Sequence, residues 1–167
     1  MNQYDNLSTL NTEIAFDYPE DQQYFEASVF GRLLSEQDIE TYFDFSDPHK
    51  KRQEFNKIRG KVLSILLEQF GTKCLLNMEN ICDLNSGLQV DHLIPLSSNL
   101  LNKHLRKLTR QKPQKVATQS FGSNNLSNLV LACAKCNGKK KNSMPSLALF
   151  QLIEVAKKPT KSNNLPT

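Results

Sequence analysis

The chain has 167 residues, 23% charged and 38% hydrophobic, with four cysteines, no tryptophan and a formal net charge of +4. That length suits one domain with extensions, and no apolar run approaches the roughly 20 residues needed to cross a bilayer. The net charge conceals a division: residues 1–47 hold eleven acids against the single base Arg32, whereas residues 48–167 hold twenty bases against six acids.

The basic part suits a polyanion such as nucleic acid, and the acidic part would repel that ligand, so the two have different tasks. A merely soluble acidic face accounts for residues 1–46 equally well. The start, Met1 to Asp5, lacks the basic and apolar regions of a signal peptide, so a cytoplasmic protein is expected. In that compartment cysteines point to metal or catalysis before disulfides.

Residues 1–18 are polar and aperiodic, and residues 1–46 together read as an acidic, partly helical arm. Ser35 to Asp38 has the pattern of a helix start, with Ile39, Tyr42 and Phe43 following at helical spacing as core residues. Asp47-Pro48 is a sharper start, and Gly71 a stop, for a long helix from Pro48 to Phe70. Its apolar stripe is Phe55, Ile58, Val62, Leu63, Ile65, Leu66 and Phe70. Lys50, Lys51, Arg52, Lys57, Arg59 and Lys61 take much of the remainder, as a solvated face or as the border of a DNA groove.

Leu88 to Ile94 is predicted as a strand that Pro95 ends, and Leu129 to Leu131 as a second. Between them Leu100 to Arg110 reads as a short basic amphipathic helix and 112–123 as a loop. A helix is expected from near Ala134. Another, from near Pro145, takes Leu147, Leu149, Phe150, Leu152, Ile153 and Val155 into the core. Residues 47–157 thus form the main domain, and 158–167 a flexible tail.

Three motifs follow one another in this basic part: Val90-Asp91-His92-x-Ile94-Pro95, then Asn128-Leu-Val-Leu131, then Cys133-x-x-Cys136-Asn137-x-x-Lys140. On a strand Asp91 and His92 leave opposite faces. An oxygen donor pair such as Asp91 and Asn137 suits a hard cation, and a neutral histidine can take a proton from water. In this order the motifs resemble the HNH endonucleases, over roughly Cys74 to Asn142, in the D-H…N…N form.

The resemblance implies an α+β fold: a ββα-metal core with a structural zinc site, preceded here by a helical N-terminal region. It also implies hydrolysis of DNA phosphodiesters to 5′-phosphate and 3′-hydroxyl ends. His92 matches the family's general base, and Asn128 the residue that fixes the loop. Asp91 and Asn137 match the ligands of a catalytic magnesium or manganese, with Asn142 a weaker supporting candidate.

Cys74, Cys82, Cys133 and Cys136 bracket the motif and can complete a four-thiolate zinc site. The first pair is spaced by seven residues where the family usually shows two, and ordinary buried thiols remain the alternative for Cys74 and Cys82. Lys103, Arg106, Lys107 and Arg110 in the long spacer, with Lys139, Lys140 and Lys141, are the candidate DNA contacts. His104 and His49 have no accompanying acid or amide motif.

The expected function is a restriction or phage-defence nuclease of a bacterium; cutting both strands with one site per chain would favour a homodimer or sequential nicks. Two rivals stay open: a non-catalytic zinc-ribbon DNA-binding module, and a nuclease subunit governed by a protein partner through the acidic arm.

Overall fold

A computed structural model describes residues 41–97 and 119–158, together with Pro19, Gln22, Gln23, Phe25, Glu26 and Ile39. Among these residues the fold is mixed α+β, three α-helices around one two-stranded antiparallel sheet. Helix α1 is Pro48–Phe70, strand β1 Leu88–His92, strand β2 Leu129–Cys133, helix α2 Ala134–Lys140 and helix α3 Leu147–Lys157. No helix among them is long and apolar enough to cross a membrane.

The bounds of α1 follow from its ends. The Asp47 carboxylate accepts from the Lys50 N–H at 2.8 Å, and Pro48 occupies the first helical position, where no backbone donor is needed. At the other end Gly71 takes φ 65°, which other residues resist, and donates to the Leu67 carbonyl at 2.8 Å. Phe55, Val62 and Leu66 are buried on one face against Val90, Leu129 and Leu131 of the sheet. Each such side chain withdrawn from water contributes about 1.5–3 kcal/mol.

Two residues of α1 depart from the sequence expectation. Ile58 is 39% exposed and lies outside the stripe. Lys51, assigned to the basic face, is 1% exposed, and its ammonium donates to the carbonyls of Asp44, Leu96 (3.3 Å) and Gly122 (2.7 Å). An ammonium has three donors and no acceptor, so three converging carbonyls satisfy it. Lys51 is therefore a tie between three chain segments and not a surface charge.

In the sheet Leu88 pairs with Cys133 and His92 with Leu129, so β1 is shorter and β2 longer than the sequence suggested. The far face of the sheet carries a second core, in which Val130, Ala132, Cys133 and Cys136 meet Phe25, Ile39, Tyr42, Phe43, Phe121, Phe150 and Ile153. Among the described residues, Phe25, Tyr42 and Phe43, which precede the division placed at residue 46, pack in the same core as the motif.

Ser146 caps α3 through its hydroxyl, which accepts from the Leu149 N–H at 3.2 Å. Phe150 and Ile153 are buried, whereas Leu152 and Val155 are 68% and 67% exposed, contrary to the expectation that all would enter the core. The third residue of the buried face is Lys157, whose ammonium donates to the carbonyls of Leu126, Ser127 and Leu129.

Candidate active site and metal centre

Side chains alternate along β1 as the pleat requires. Val90 and His92 turn toward α1, where the His92 ring meets Phe55 edge-on at 4.5 Å. Gln89 and Asp91 turn toward α2, reaching Asn137 and Lys140. The outer edge of β1 opens into a cleft of about 280 Å³ between the two helices. Arg52, Phe55, Asn56, Arg59 and Leu63 line it from α1, residues 88–92 from β1, and Asn137, Lys141 and Asn142 from α2 and the turn beyond. Asp91 and His92 border one cleft from opposite faces because the cleft wraps the strand edge.

Asn128 holds the chain where it leaves this strand. It is fully buried; its amide oxygen accepts from the Ile94 N–H at 2.8 Å, and its amide nitrogen donates to the carbonyls of Ile94 (3.0 Å) and Ser123 (2.9 Å). Its own carbonyl accepts from the Leu93 N–H at 2.8 Å. The segment after His92 is therefore clamped by one residue at three points, two through its side chain and one through its backbone carbonyl.

His92 is 6% exposed, and burial pulls its pKa down to about 4. At neutral pH it carries a lone pair and no charge, the state a proton acceptor needs. One ring nitrogen, Nε2, lies 2.9 Å from Oδ1 of Asn124. Burial raises the pKa of Asp91, and the Lys140 ammonium opposes that rise.

Lys140 is 3% exposed, with Nζ 2.9 Å from Oδ2 of Asp91 and 2.6 Å from the His92 carbonyl. The sequence reading of Lys140 as a phosphate contact is corrected: its length and its helical phase turn it inward as the counter-ion of Asp91. Lys139 and Lys141 are exposed, and Lys141 faces the cleft. Lys103, Arg106, Lys107, Arg110 and His104 lie outside the described residues. His49 is exposed and pairs with Gln53 at 3.1 Å.

The donors in the cleft fit a hard cation. Asp91 is a largely buried carboxylate whose Oδ2 lies 2.9 Å from the Lys140 ammonium. The Asn137 amide nitrogen donates to Gln89 Oε1 at 2.8 Å, which leaves its oxygen as the remaining acceptor. A carboxylate and an amide oxygen with room beside them suit magnesium or manganese better than a soft metal.

Across the core the four cysteines meet. Their sulfurs all lie within 4.8 Å of one another, and none is in a disulfide. Cys74 Sγ accepts from the N–H of Cys133 (3.2 Å) and of Asn77 (3.4 Å), and Cys133 Sγ from those of Asp83 and Cys136, each at 3.4 Å. These N–H contacts hold the sulfurs of Cys74 and Cys133 in place, and the four residues meet at one point that can hold a metal ion. The irregular spacing of Cys74 and Cys82 is absorbed by the turn between them, where Asn77 and Asn80 take positive φ.

Sequence reasoning passed over Asn124, Asn56 and Gln89. Nothing local separates Asn124 from Asn125 beside it, and Gln89 is exposed and isolated in sequence. Asn56 lies on the helical face that Arg52 and Arg59 mark, four residues from the first, so helical phase would have found it. Comparison with family models, with curated proteins and with solved structures finds no match to the chain.

Proposed function

We propose that the chain is a metal-dependent HNH-type endonuclease that hydrolyses DNA phosphodiesters, with a structural zinc held by its four cysteines. The observation that carries this reading is the single cleft on which Asp91, His92 and Asn137 converge beneath cationic Arg52, Arg59 and Lys141. Neutral His92 accepts the proton of a water, whose oxygen attacks phosphorus while the bond to the 3′-oxygen breaks and that oxygen takes a proton from solvent. Asp91 and Asn137 would hold magnesium or manganese. That ion, when bound, relieves charge on the phosphoryl oxygens and on the leaving oxygen. Arg52, Arg59 and Lys141 neutralise the neighbouring phosphates. Asn128 keeps His92 in place through the loop it clamps.

Zinc suits the cysteine cluster because tetrahedral thiolates at about 2.3 Å from a zinc ion lie about 3.8 Å apart, close to the 4.0 Å between Cys82 and Cys133. A bacterial restriction or defence role follows only from the family likeness.

The test is incubation of supercoiled plasmid with the full chain in magnesium, in manganese and in metal-free buffer. Nicked or linear product with 5′-phosphate ends, formed only when the cation is present, is the expected result. Tight DNA binding with no strand breaks in either metal would favour the binding-module reading instead.

A further inference from the structure

We propose that Asn124 is a positioning residue that fixes His92 in the tautomer protonated at Nε2, leaving Nδ1 as the ring's proton-accepting atom. The Lys51 backbone carbonyl can only accept, and the Asn124 amide nitrogen donates to it at 2.9 Å. That contact decides which way the amide faces, and so places the amide oxygen, not the nitrogen, 2.9 Å from His92 Nε2. An amide oxygen can only accept, so the proton between them belongs to Nε2. Turning the amide over would set two carbonyl oxygens against each other.

The residue that supplies this acceptor is itself tied down. Lys51 lies in the first turns of α1, and its ammonium is anchored by the carbonyls of Asp44, Leu96 and Gly122. The Phe55 ring, also on α1, packs against the imidazole at 4.5 Å and limits its rotation. Helix α1 lies outside the 74–142 motif, yet its backbone sets the chemistry of the histidine through one asparagine. The tautomer assignment stands by itself; its catalytic consequence rests on the nuclease reading.

The experiment is long-range proton–nitrogen correlation on the ¹⁵N-labelled full chain at neutral pH without added magnesium, with H49Q and H104Q variants to assign the ring signals. Wild-type His92 is expected to show a protonated, pyrrole-type Nε2 and a bare, pyridine-type Nδ1. In N124A both nitrogens should move to the intermediate values of mixed tautomers. The same variant should lose roughly 10–100-fold in kcat, the usual worth of a partner that orients a histidine, with DNA affinity unchanged. A wild-type Nδ1–H tautomer, an unaltered pattern in N124A, or full cleavage by N124A would overturn the proposal. The wild-type spectrum requires no variant, and N124S, too short to span both partners, replaces N124A if that chain does not fold. A wild type that cuts nothing sinks the nuclease reading alone, since the spectra still decide the tautomer.

Discussion

Lys140 and Asp91 show how much one buried pair decides in a small core. Removing the ammonium would strand a carboxylate that is 14% exposed, with no hydrogen bond to its buried oxygen. K140M is expected to destabilise the chain by about 3–5 kcal/mol, the usual cost of breaking such a pair, and D91N/K140M to recover part of it. Urea denaturation measures both, and a K140M midpoint equal to wild type would contradict the pairing. Lys140 sits in a run of three lysines, and no residue type within that run marks it as internal. The sequence showed the charges but not the direction of each side chain, which depends on a carbonyl and a carboxylate from β1. The same holds for Asn124, whose partners are 73 and 32 positions away in the chain. Asp91, His92 and Asn137 were legible because each belongs to a motif with fixed local spacing.

Between elements, the tightest point is where residues 119–123 pass the end of β1. Gly122 donates to the Pro95 carbonyl at 2.8 Å and faces Phe43 across an isolated bridge. A Cβ there would come within 1.9 Å of the Ile94 carbonyl oxygen and 2.9 Å of the Asn128 amide nitrogen. The obstruction is backbone and cannot rotate away, so G122A is expected to cost at least about 1–3 kcal/mol by chemical denaturation. A stability within 0.5 kcal/mol of wild type, roughly the scatter of neutral surface changes, would show that the loop yields.

N128A leaves three buried backbone groups without partners and should cost about 2–4 kcal/mol, at about 1 kcal/mol or more each. An intact melting curve would contradict its place as the clamp. The elements themselves were readable where their ends carry chemistry, as with Asp47-Pro48 and Gly71 on α1. In α3 apolar residues occupy more than one face, so periodicity could not say that Phe150, Ile153 and Lys157 would be the inward set.

At the scale of the molecule, the described residues on the two sides of the charge division near residue 47 share one core. Phe25, Ile39, Tyr42 and Phe43 are buried with the motif, and the Asp44 carbonyl accepts from Lys51. Deleting residues 1–46 is therefore expected to lower the melting temperature, where a detachable regulatory arm would leave it unchanged. The cysteine cluster ties the approach to β1 to the start of α2, and purified chain should contain one zinc per molecule. Removing that ion should unfold the core cooperatively, because binding free energy at such a site is folding free energy. Unchanged circular dichroism after complete removal would leave the cysteines as plain core residues.

The proposed nuclease activity makes His92 the proton acceptor of a phosphodiester-cleaving centre. It is tested most directly by single-turnover plasmid cleavage in magnesium by wild type and H92A, with DNA affinity measured alongside. Loss of about 10²–10⁴ in rate with unchanged affinity is expected, the worth of a general base. Equal rates in the two proteins would remove His92 from the chemistry and the cleft from the account.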